Sequence, residues 1–106
     1  MLNVMPTVKV NHKTSTSPDE AFKSLKSLFS NDAQLKKLDP DFKLNLAEDT
    51  KTGQIISKLF KADIKIIANG SGSEVAIVVD LPFHMALIKG LVEQNLKQKL
   101  GEFFKA

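Results

Sequence analysis

Apolar and polar positions alternate over residues 7–13. Val8, Val10 and His12 share one side and Lys9, Asn11 and Lys13 the other, the pattern of a half-buried strand. Residues 14–17 read as loop. Ser17, Pro18, Asp19 and Glu20 then mark a helix start, with Ser as N-cap, Pro in the first turn and Glu three residues after the cap. Phe22, Leu25, Leu28 and Phe29 recur at helical spacing, while Lys23, Ser24 and Lys26 fall on the polar side. Ser30, Asn31 and Asp32 interrupt this helix. Residues 33–38 add a short helical turn, and Asp39-Pro40 ends it, because the residue before a proline avoids helical backbone.

Alternation returns at residues 42–46, with Phe42, Leu44 and Leu46 directed one way. Residues 48–53 form a hairpin loop. Residues 54–68 are too long for one strand, which typically runs about 5–6 residues. Their phase also changes: Ile55 and Leu59 share one register, and Phe60, Ala62, Ile64 and Ile66 share the other. A bulge or break near Leu59 and Phe60 accounts for the change. Asn69, Gly70, Ser71, Gly72 and Ser73 form a turn. Residues 74–81 are the last strand, with Val75, Ile77, Val79 and Leu81 on one face.

Pro82 stands where a first helical residue belongs, and the chain can stay helical to about Phe104 despite Gly90 and Gly101. At 100° per residue its apolar positions separate into two stripes. Met85, Ile88, Val92, Leu96, Leu100 and Phe103 run the whole length. Phe83, Leu87 and Leu91 form a second stripe that turns polar at Gln94 and Gln98.

The expected order is β-α-β-β-(β)-β-α in a single α+β domain over residues 1–106. Hairpin-length loops make the sheet mostly antiparallel, with 4–5 strands and two helices on one face. Lys9, Lys43, Lys65 and Asp80 fall on the other face, which is solvated.

Composition narrows the function. The 106 residues are 42% hydrophobic and 25% charged, ordinary for a globular chain. With no cysteine there is neither a disulfide framework nor a thiolate metal site, and a reducing compartment is compatible. No targeting segment is expected, the apolar runs are far shorter than a membrane span, and a cytoplasmic location follows as the default. The net charge of +3 comes from 15 lysines, with no arginine, interleaved with 12 acidic residues. Lysine supplies point charge without the planar fork that reads base edges or clamps phosphate, so a solvated surface is expected and not a nucleic-acid groove.

No residue set spells out catalysis. His12 and His84 are the only imidazoles, and no third ligand pairs with them, so no metal site is expected. Asp39, Asp41, Glu48 and Asp49 flank a loop where turn chemistry already explains Asp39 and Asp49. The glycine-rich stretch at 69–73 joins two strands and does not lead into a helix N-terminus, so it is no phosphate cradle. Ser15, Ser17 and Ser71 have no histidine in a nucleophile pattern. The chain is expected not to be an enzyme, with no catalytic, cofactor or metal residues.

The second stripe, Phe83, Leu87 and Leu91, is the candidate partner-binding surface, suited if exposed to a homodimer, a partner helix or an apolar granule. The competing expectation is that the first helix covers it through Phe22 and Phe29.

Three motifs bear on the choice: Val8-Lys9-Val10-Asn11-His12, then Pro18-Asp19-Glu20-Ala21-Phe22, and above all the run from Val75 to Leu91, with its Leu81-Pro82-Phe83 junction and Lys89-Gly90 step. Together they resemble the polyhydroxyalkanoic acid system family of small bacterial proteins. The resemblance implies a granule-associated role near polyhydroxyalkanoate storage, with no catalytic residues. The first functional expectation is accordingly a non-enzymatic interaction protein of that storage system, acting through the apolar face of its last helix. The alternative is a module binding a small hydrophobic ligand such as an acyl chain, with Ala62, Ala76, Ala86 and Met85 as small or flexible residues that leave room.

Overall fold

The computed structural model describes residues 7–58 and 60–104, with the side chains of Gln34, Leu35, Leu38, Phe83 and Phe103 outside that description. Along the chain run β1 (Thr7–Thr14), α1 (Pro18–Ser30), α2 (Ala33–Leu38), β2 (Lys43–Ala47), β3 (Thr52–Ile56), β4 (Lys61–Asn69), β5 (Gly72–Asp80), a 3-10 helix (Phe83–Ile88) and α3 (Lys89–Phe103). The strands form one five-stranded sheet in the order β1-β5-β4-β3-β2, with every neighbouring pair antiparallel. The α+β class, the antiparallel sheet and the two main helices agree with the alternation and helical spacing in the sequence.

Register explains the core. Val8 pairs with Val79, Val10 with Ile77 and His12 with Val75; on the other side of β5, Ala62 pairs with Val79, Ile64 with Ile77 and Ile66 with Val75. Because side chains alternate along a strand, all of these point to the same face. That face is buried, and α1 and α3 close it with Ala21, Phe22, Leu25, Phe29, Leu100 and Phe104. The opposite face carries Lys9, Asn11, Lys43, Lys65 and Asp63, all exposed.

The phase change in residues 54–68 is a real break. β3 ends at Ile56 and β4 begins at Lys61. Between them the Ser57 N–H donates to the Phe60 carbonyl at 3.0 Å. Leu59, one of the two residues where the break was expected, lies outside the described residues. The turn is held from outside by buried Asp39. Its Oδ2 accepts from Ser57 Oγ at 3.0 Å and from the Lys58 N–H at 2.9 Å, and its Oδ1 accepts from the Asp41 N–H at 3.0 Å. The Lys58 N–H, opposed by desolvation and helped by the Asp41 N–H and Ser57, holds the Asp39 carboxyl below the ordinary value of 3.8. Asp39 therefore ties the α2–β2 connection to the β3–β4 turn, a role that turn propensity alone did not reveal.

The two hairpin loops are tighter than the sequence pattern implied. Ala47 pairs with Thr52, leaving residues 48–51 as the loop, with Lys51 at φ 55°. Asn69 pairs with Gly72, so only Gly70 and Ser71 turn the chain, and Gly70 takes φ 62°, a conformation open to glycine without steric cost. Gly72 is glycine for space: a Cβ there would run into the Thr14 carbonyl oxygen. At this junction Ser73 Oγ donates to the Thr16 carbonyl at 2.7 Å, locking the β1–α1 connection onto β5.

The α1 start is as the sequence predicts. Ser17 caps the helix, accepting from the Glu20 N–H at 3.3 Å, and Pro18 occupies the first turn. The last helix differs. Pro82 is extended (φ −60°, ψ 150°) and is not a first helical residue, and no side chain caps the start. The next six residues take the tighter 3-10 path, opened by the Met85 N–H donating to the Pro82 carbonyl at 2.9 Å. Regular α-helix begins only at Lys89. Runs of 3-10 beyond 3–4 residues are uncommon. No helix among the described residues is long and apolar enough to cross a membrane.

Candidate functional site: an apolar cavity beneath the last helix

The C-terminal end of α3 is pinned. Leu100 is 0% and Phe104 3% exposed, and α3 packs on β1. His12, half-buried on the inner face of β1, donates from Nε2 to the Phe104 carbonyl at 3.1 Å, with the two rings 6.2 Å apart. His12 thus closes the helix end, where the backbone carbonyls lack intrahelical partners. His84 is exposed in the 3-10 segment.

Toward its N-terminal end α3 rises off the sheet. Leu96, Val92, Ile88 and Met85 are each only partly covered, and beneath them lies a cavity of about 270 Å3. Ile55 of β3, Ala62 of β4 and Ile77 and Val79 of β5 form its floor, with Phe60 and Leu81 at the ends of their strands and Phe29 of α1 as the side wall. Ala62 makes room: it sits in the ladder between Ile55 and Val79, and its methyl leaves a gap between two branched neighbours. Met85, the other residue the sequence suggested, lines the roof. Ala76 and Ala86 do not contribute. Ala76 lies on the outer face of β5, and Ala86 is exposed.

Three polar side chains meet the cavity: Asp32, Asn95 and Lys99. Lys99 Nζ lies 2.6 Å from Asp32 Oδ2, with the Asp32 side chain 8% and the Lys99 side chain 28% exposed. Beyond this pair is a second hollow, bounded by Ser27, Leu28, Asn31 and Glu102 and again by Asp32 and Lys99. The ion pair thus borders both the apolar cavity and this second hollow. Nothing local in the sequence links these two residues, which are 67 positions apart.

A wider depression of about 560 Å3 lies on the outer face of β2, β3, β4 and β5. It is crossed by the Gln54 Nε2 to Asp63 Oδ1 hydrogen bond at 2.9 Å. Among the described residues no group of three or more His, Asp or Glu side chains converges as a metal site would require.

The second stripe of the last helix is divided. Leu87 is 98% exposed, so Phe22 and Phe29 do not cover it. Leu91 is 56% exposed and also lines the cavity. The Phe83 side chain lies outside the described residues. The longer stripe is the one that matters here, since Met85, Ile88, Val92 and Leu96 all face the cavity.

No protein-family model matches the chain, and no curated protein matches it in sequence. Solved structures do match in shape. TTHA0849 from Thermus thermophilus aligns with a TM-score of 0.58 at 13% identity, covering 94% of this chain and 92% of that one. Ara h 8.0201 aligns at 0.57 and 18% identity over 93% of this chain and 92% of that chain. Norcoclaurine synthase from Thalictrum flavum aligns at 0.50 and 10% identity over 98% of this chain and 95% of that chain. At these identities the likeness shows the fold alone: a helix-grip arrangement, an antiparallel sheet wrapped around helices.

This overturns the expected kinship with the polyhydroxyalkanoic acid system family, and with it the expected granule-associated interaction role. The motifs behind that resemblance have a structural explanation. Leu81 is 2% exposed and ends β5 at the cavity, and Pro82 turns the chain into the 3-10 segment. Any strand passing into an apolar helix over a sheet needs a similar junction. Met85, Ile88, Val92 and Leu96 of the longer stripe line the cavity, whereas Leu87 of the shorter one stays exposed.

Proposed function

We propose that the chain is a non-enzymatic binding module for a small hydrophobic ligand, held between α3 and the sheet. The cavity carries this reading: about 270 Å3 walled by Phe29, Ile55, Phe60, Ala62, Val79 and Leu81 and roofed by Met85, Ile88 and Val92. Ligand pockets span roughly 300–1,000 Å3, so this one falls just below that range and suits a small ligand. At about 30 Å3 per heavy atom, the share a water molecule takes in the liquid, it accommodates roughly nine heavy atoms. A ligand burying about 200 Å2 of apolar surface gains about 5 kcal/mol before the costs of association, enough for reversible binding. The cysteine-free composition is compatible with the cytoplasm, the compartment proposed for this binding.

Native mass spectrometry of gently purified protein tests the reading. A co-purifying small apolar molecule, or stabilisation by medium-chain amphiphiles added in excess, is the expected result. A chain that carries no such molecule and is not stabilised by any of them would remove the proposal.

A further inference from the structure

The rim of the cavity says which end group its ligand carries. We propose that the ligand is a neutral amphiphile, with an apolar body of medium length and one uncharged donor–acceptor head such as a hydroxyl or primary amide; this rests on the binding reading above. The only charged groups that line the cavity among the described residues are Asp32 and Lys99, paired at 2.6 Å. A ligand whose body fills the space under α3 brings its head to this pair, because Asp32, Asn95 and Lys99 are the polar side chains among the described residues that line the cavity, and its other walls are apolar.

The pair is close to neutral as a unit, and that decides the chemistry. A carboxylate head near Lys99 meets Asp32 at nearly the same distance, and an ammonium near Asp32 meets Lys99. In either case attraction and repulsion largely cancel, while the desolvation of the incoming ion remains. Glu102, at the edge of the outer hollow, adds a further carboxylate against an anionic head. A hydroxyl or amide faces no such penalty. It accepts from the Lys99 ammonium, which has three donors, and donates to Asp32 or to the Asn95 amide oxygen beside them.

Isothermal titration at neutral pH with octanol, octanamide, octanoate and octylammonium tests the assignment, because the four share one chain and differ in the head. The two neutral compounds are expected to bind at least about tenfold more tightly than either ion. A purely apolar site would share that preference, so the substitutions carry the decision. Asp32→Asn removes the carboxylate facing Lys99 and is expected to raise octanoate affinity relative to octanol by about tenfold, and Lys99→Met removes the ammonium facing Asp32 and raises octylammonium in the same way. Lys99→Met decides the matter if Asp32→Asn does not fold, as judged by circular dichroism. Equal or tighter binding of an ion by the unaltered chain, or a ranking that ignores both substitutions, overturns the head-group assignment while leaving the cavity reading intact. Failure of all four to bind removes the cavity reading and this inference with it.

Discussion

Replacing Ala62 with isoleucine fills the cavity from its floor. Ala62 is 2% exposed and its side chain meets the void directly, so the added atoms enter space that the fold leaves open. Three further carbons at about 30 Å3 each take up roughly 90 Å3, a third of the 270 Å3 present. A β-branched side chain suits a strand interior. At about 0.8 kcal/mol per buried methylene the gain is about 2 kcal/mol, which for a chain of this size raises Tm by about 8 °C. Binding should move the other way, with octanol affinity falling at least about tenfold as its volume is lost. Differential scanning calorimetry and titration on the same preparation read both. If β4 and α3 are in truth close-packed here, the larger side chain strains the core by about 1–3 kcal/mol and Tm falls by about 4 °C or more. A fall in Tm would refute the claim of an open space at Ala62.

Further outcomes follow from other parts of the fold. Because the Asp39 carboxyl titrates below 3.8 in the folded chain, its stabilisation is fully present above that pH and is lost as pH falls through the lower folded value; Asp39→Asn should therefore be less stable at neutral pH, with the gap in denaturant midpoint closing in acid. Gly90→Ala places a methyl where nothing lies within 4 Å, and should stabilise α3 by about 0.5–1 kcal/mol in chemical denaturation. Gly72→Ala should cost at least about 2 kcal/mol in the same assay, since the new methyl meets backbone at Thr14 that cannot swing aside. Leu87→Lys should leave monomer stability within about 0.5 kcal/mol, the side chain being 98% exposed.

The sheet was legible because its information is local. Alternation in residues 7–13, 42–46 and 74–81 fixes which side chains face inward, and the phase slip between Ile55 and Ala62 locates the β3–β4 turn. The cavity was not legible, because its walls come from α1, three strands and α3, and a void is set by how far those elements stand apart. The small side chain of Ala62 and the flexible one of Met85 were its traces. The division of the Phe83, Leu87 and Leu91 stripe was hidden for a geometric reason. A 3-10 helix turns about 20° more per residue than an α-helix, so positions spaced by four no longer stack on one side. The missing cap at Pro82 was the available sign of that tighter winding. The Asp32–Lys99 contact left no sequence signal, since it depends on α3 crossing the α1–α2 junction.

The pairing of β1 with β5 also bears on how the chain reaches this state. Thr7 and Asp80 stand opposite each other although they are 73 residues apart, and the His12 contact to Phe104 spans 92. On the ribosome, the β2–β3–β4–β5 hairpins can zip as they emerge, whereas β1 must wait with its oily valines unsheltered until the far strand arrives. Such late closure slows folding, and it makes the first strand the segment most in need of chaperone protection during synthesis.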